Sequence, residues 1–106
     1  MTNDTDDEQQ IVRELSRAQR AREVLDNPLY QEAFAGLRDQ LRQEWETSPA
    51  RDTEGRERLW LAINLLGKVE QHLNLTVQTG QMARMQLEQK RSKLAEMAQW
   101  AARKWA

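Results

Sequence analysis

A seven-residue repeat through the C-terminal half constrains this chain more than any other feature. Positions 59, 66, 73, 80, 87, 94 and 101 read Leu, Leu, Leu, Gly, Leu, Leu and Ala, and no proline follows Pro49. A strict period of 3.5 residues predicts one long α-helix with a left-handed supercoiling tendency. The positions four residues on are Ile63, Glu70, Val77, Arg84, Arg91, Ala98 and Trp105; those three residues on include Ala62, Val69, Ala83, Lys90 and Met97. The stripe is thus wide from Leu59 to Val77 and narrows beyond Gly80 to Leu87 and Leu94 between charged flanks. Gly80 follows the weak helix formers Asn74, Thr76 and Thr79. It marks either a break in the helix or a close approach by another helix, and the pattern alone leaves both open.

Two shorter helices precede it. Asp6 or Asp7 caps the first, with Glu8 near its positive end and a thin stripe of Ile11, Leu15, Ala18, Arg22 and Leu25. Asn27 before Pro28 reads as an N-cap with proline at the first helical position, so the chain separates or bends there. The second helix carries Tyr30, Phe34, Leu37, Leu41 and Trp45 on one face and ends near Glu46, ahead of Pro49. A connection over 47–53 returns the chain, and Asp52 or Thr53 caps the third helix. The expected fold is all-α: an antiparallel helical hairpin of coiled-coil character, with a short N-terminal helix and a long C-terminal one. Its core is Tyr30, Phe34, Leu37, Leu41, Trp45, Leu59, Ile63, Leu66, Leu73 and Val77, and Trp60 is expected to close the same end as Trp45.

Length then turns the repeat into an argument about assembly. A helix from Glu54 to Lys104 extends about 75 Å, whereas the second helix covers only about 28 Å of it. The thin stripe of helix one cannot cover the remainder. The chain therefore owns more leucine seam than it can shield alone, which predicts a homo-oligomer or another protein partner. Residues 1–7 are expected to fray, 8–83 to form the oligomerisation hairpin, and 84–106 to form a basic amphipathic helix for docking.

Composition narrows the function classes. The 106 residues are 39% apolar and 31% charged, a balance suited to helices that share a seam rather than to a globule with a deep core. The absence of cysteine excludes thiolate chemistry. His72 is the single histidine, no cluster stands at metal-ligand spacing, and Ser16, Ser48 and Ser92 have no base beside them. A non-enzymatic role without cofactor or metal is expected. The longest apolar run, Leu59–Ile63, is far short of the ~20 residues a membrane span needs. The N-terminus is acidic where a signal peptide is basic and then apolar. No membrane association and an intracellular location are the expectation.

Charge is polarised along the chain. Residues 1–50 hold 11 acidic against 6 basic side chains, and residues 51–106 hold 6 against 10. Arg13, Arg17 and Arg20 on helix one, with Arg84, Lys90, Arg91 and Lys93 on helix three, are the candidates for weak, nonspecific contact with duplex DNA. No helix-turn-helix, zinc finger or RNA-recognition pattern is present to read bases. Leu94, Met97, Trp100, Arg103, Lys104 and Trp105 combine apolar anchors with cations and have little of their own chain to pack on. They are the candidates for partner docking.

Several stretches resemble short helical proteins of tailed bacteriophages and gene transfer agents. They are Asn27-Pro28-Leu29-Tyr30-Gln31-Glu32-Ala33-Phe34, then 50–60 (Ala-Arg-Asp-Thr-Glu-Gly-Arg-Glu-Arg-Leu-Trp), Gly67–Leu73 and Thr79–Ala83. The similarity covers about residues 20–88, and the functional class it looks most like is the small terminase subunit. That resemblance implies an oligomeric ring built from the hairpin, which recruits DNA and regulates the large terminase motor in the bacterial host cytoplasm. Many small terminases carry an N-terminal helix-turn-helix domain, for which residues 1–26 are too short. The other readings are a capsid scaffolding or virion-assembly protein, and a small phage-encoded inhibitor of a host pathway.

Overall fold

A computed structural model describes the backbone of residues 3–105 and the side chains of residues 6–105. The fold is all-helical: α1 (Asn3–Leu25), α2 (Pro28–Thr47) and α3 (Thr53–Trp105), with no strand among the described residues. Helix α1 begins at Asn3, several residues ahead of the expected start. Met1 and Thr2, in the segment expected to fray, lie outside the described residues. Helix α3 is unbroken over 53 residues, about 80 Å of helix at ~1.5 Å per residue.

The helix boundaries follow from capping chemistry. The Asn27 side chain accepts from the backbone N–H groups of Leu29 and Tyr30 at 2.9 and 3.2 Å, and Pro28 occupies the first helical position. Gln31 Nε2 donates to the Leu25 carbonyl at 2.8 Å, satisfying one orphan acceptor at the end of α1. Asp52, rather than Thr53, caps α3, accepting from Gly55 N–H at 3.1 Å.

Two compact units result, and α3 contributes to both. The first pairs α1 up to Arg20 with α3 from Thr76 onward; the second comprises Ala21–Leu75.

In the first unit, a β-carbon added to Gly80 would collide with Ala18 Cβ and would stand 3.3 Å from the Glu14 carbonyl oxygen. Gly80 is therefore the point of close helix approach and not a break. This contact seals the best-buried part of the structure, with Ile11, Val77 and Ala83 all buried. Asp7, Gln10, Ile11 and Glu14 line a groove together with Gln86, Gln89, Lys90 and Lys93. With Ala18 at Gly80 and Asp7 among residues 86–93, the two segments run antiparallel. At the start of the second unit, Arg22, placed on the apolar stripe of α1 from sequence, is exposed, and the adjacent Ala21 is buried.

In the second unit, Arg38 pairs with Glu70 at 2.6 Å, and Arg56 meets Trp45. Partners retreat along α3 as α2 advances. Tyr30, Phe34, Leu41 and Trp45 of α2 are half-buried, as are Leu59, Ile63, Leu66 and Leu73 of α3. No residue of α2 is buried.

The glycines give a paired test. Alanine is ordinarily about 1 kcal/mol better than glycine inside a helix. Gly67 has nothing within 4 Å of an added β-carbon, so Gly67→Ala should raise thermal stability by up to about that amount. Gly80→Ala should lower it by about 1–3 kcal/mol, because overpacking against Ala18 outweighs propensity. Circular-dichroism melts at one concentration check this, and shifts in the same direction would contradict the close approach.

Candidate functional site

The end of α2 is where sequence reasoning missed a residue. Three groups gather on Arg56 Nη1: the Trp45 carbonyl at 3.1 Å, the Ser48 carbonyl at 3.3 Å and the Ser48 hydroxyl at 3.0 Å. The guanidinium also lies 4.4 Å over the Trp45 ring. A cation at a helix C-terminus satisfies orphan carbonyls and complements the helix dipole. The only sequence signal was an arginine in the first turn after a short connection. Trp60, expected to close this end, is instead 55% exposed; Arg56, one turn earlier, takes that place.

The ten residues expected to form the core are only partly covered. Of its ten residues only Val77 is buried, and Val77 lies in the first unit. Leu37 is exposed, a correction to its core assignment, because it sits at the margin of the α2 stripe, on the side not covered by α3. Tyr30 stacks against Phe34 with ring centroids 4.4 Å apart. Its hydroxyl oxygen is enclosed and has no hydrogen-bond partner among the described residues. Burial pushes the phenol above its ordinary pKa, with the Glu70 carboxylate adding to the rise and Arg38 opposing it.

The seven DNA-binding candidates do not form one patch. Arg13, Arg17 and Arg20 are exposed on the side of α1 turned away from its Ile11–Ala18 stripe, with Arg13 donating to Gln10 Oε1 at 3.0 Å. Arg84 and Arg91 follow the seam by four residues and Lys90 by three, so they stand on opposite flanks of the ridge that α1 covers. Lys90 is half-buried, and it and Lys93 share their groove with Asp7 and Glu14. The acidic start of α1 thus stands beside part of the basic cluster.

The docking candidates Leu94, Met97, Trp100, Arg103, Lys104 and Trp105 are all exposed, with Trp105 at 81%. Counted antiparallel from the Ala18–Gly80 contact, Asn3 comes level with Ala95, so α1 runs out there. Leu94, Ala98, Ala101 and Trp105 continue the face that carries Gly80 and Leu87. Lys104 Nζ sits 5.7 Å from the centre of the Trp100 ring.

Among the described residues no group of three acidic, histidine or cysteine side chains is arranged to hold a metal ion. Among them, too, no helix is long and apolar enough to cross a membrane. Comparison with known protein families, curated proteins and solved structures finds no match.

Tyr30, the single tyrosine, yields a pH prediction. Its folded pKa is raised, so its contribution is intact below about pH 10, where the phenol is protonated in both states. Stability is lost as pH rises from there through the folded value, because the unfolded chain ionises first. Tyr30→Phe should remove that alkaline loss. At pH 7 it should be neutral or stabilising by up to about 1 kcal/mol, since an enclosed hydroxyl without a partner is deleted. Denaturant titrations of both proteins at pH 7 and 10.5 test this. A loss above about 1 kcal/mol at pH 7 would show that the hydroxyl is bonded.

Proposed function

We propose that this chain is a non-enzymatic assembly adaptor of the small-terminase type. It self-associates through the helical hairpin of α2 and α3, touches duplex DNA weakly and without sequence preference, and docks its C-terminal helix on the large terminase motor. The observation that carries this reading is the uncovered end of α3. The face buried at Val77, Gly80 and Ala83 continues through Leu94 to Trp105, and among the described residues Leu94, Met97 and Trp105 are exposed along it. Trp105 on that face, and Trp100 beside Lys104 about 140° around the helix, are exposed aromatics with the composition of interface anchors. The resemblance to phage and gene-transfer-agent proteins supplies the class of partner. Exposed arginines on α1 and α3 supply phosphate contacts, and no residue set reads bases.

A second reading is favoured by the groove that Asp7 and Glu14 share with Lys90 and Lys93. Carboxylates beside the lysines lower their value to a polyanion. A virion-assembly or scaffolding protein would use the same uncovered face and need no DNA.

One experiment separates them. Trp100→Ala combined with Trp105→Ala should retain helical content, because both side chains are exposed, yet lose capture by the large terminase. The unsubstituted chain should bind duplex DNA at low salt and release it by about 200 mM salt. Capture retained by the double variant would overturn the docking assignment. Co-assembly with coat protein and no effect on the packaging ATPase would favour the second reading.

A further inference from the structure

The second unit carries an apolar side that sequence reading did not single out. On α2 the half-buried residues are Tyr30, Phe34, Leu41 and Trp45. At about 100° per residue, Leu29, Ala33, Gly36 and Leu37 form an adjacent strip, rotated in one sense from that stripe. On α3 the half-buried residues are Leu59, Ile63, Leu66 and Leu73. Leu61, Leu65 and Val69 form a strip rotated from it in the same sense. Two antiparallel helices are related by a two-fold axis perpendicular to their common plane, so rotations of the same sense fall on the same side of the pair. Both strips therefore belong to one face. Leu29, Leu37, Leu61, Leu65 and Val69 are all exposed there, and Gly36 has nothing within 4 Å of an added β-carbon. The opposite side holds Gln31, Arg42 and Glu46 on α2 and Asn64, Gln71 and Asn74 on α3, with Trp60 among them.

We infer that this face binds the same face of a second copy, giving a four-helix layer pair. The inference rests on the self-association part of the proposed function and assigns the surface that performs it. Three observations favour a second copy over an unrelated protein. The face is self-complementary in relief, because the open strip at Ala33 and Gly36 lies beside the projecting Leu65. It is self-complementary in charge, because Glu44 stands on its α2 half and Arg58 on its α3 half. The contact of Arg56 with Trp45 puts Arg58 about level with Glu44. A two-fold axis parallel to the helices keeps that level and lays α2 of one copy on α3 of the other, acid to base. Its size also suits the task. Two helices wide and as long as α2, it spans roughly 20 by 30 Å, near the ~800 Å² per partner of a standard interface.

The test uses the full chain with Leu65→Asp. Leu65 is 63% exposed, so the substitution removes little packing within the chain but buries a charge between copies. Met85→Asp, at a methionine 60% exposed and in the other unit, is the control. Native mass spectrometry and sedimentation velocity should give the unsubstituted chain and Met85→Asp as an even number of 12.5 kDa copies. Leu65→Asp should give single copies with unchanged circular dichroism. An assembled Leu65→Asp would overturn this face while leaving self-association standing; an unsubstituted chain that is single at every concentration would overturn both. Should Leu65→Asp lose helicity, Arg58→Glu decides instead: it should dissociate the assembly, and Glu44→Arg added to it should restore the mass. Failure of that restoration would overturn the pairing.

Discussion

A pair of helices has one interior surface, and every other feature of this chain follows from how far that surface can be sealed. Each seam residue between two helices is covered from one side only, so a large side chain there stays half-wet unless a third element arrives. Among the described residues no large side chain is fully buried. The first unit compensates with small residues: Gly80 and Ala18 bring two backbones together, and Ile11, Val77 and Ala83 close around the contact. In the second unit Ala21 is buried, but the leucines, Phe34 and Trp45 remain partly in water.

The polar contacts fit that division of labour. Arg38–Glu70 and the Arg56 clamp on Trp45 and Ser48 tie α2 to α3 at two levels. They fix alignment more than they stabilise, since partly exposed ion pairs contribute only about 0–1 kcal/mol. Further apolar burial would stabilise the second unit by about 25 cal/mol per Å². Exposed apolar side chains recur past Leu94, where α1 ends and α3 continues to Trp105. Two uncovered apolar surfaces on one small chain, one nearly neutral and one rimmed with cations, suit two different occupants.

Much of this was legible in the residues. The Asn27-Pro28 boundary and the exposed Leu94 and Trp105 on the continuing seam follow from capping chemistry and a seven-residue period, both of which are local. What the pattern could not decide depends on which third element arrives. Gly80 has one composition whether it breaks a helix or admits Ala18, and only the register of α1 distinguishes them. Trp60 and Leu37 look like core on hydropathy alone, yet each sits at a flank that one partner helix cannot reach. The Leu61–Leu65–Val69 strip was hidden because it lies beside a stronger heptad seam on the same helix. The cations from Arg84 to Lys93 are close in sequence, yet they stand on opposite flanks of the ridge that α1 covers.

Concentration dependence of thermal unfolding tests the central claim most directly. If the half-wet seam is completed by another copy, mass action requires the melting temperature of the full chain to rise as protein concentration is raised a hundredfold. A melting temperature unchanged over that range, with a solution mass of 12.5 kDa throughout, would contradict it.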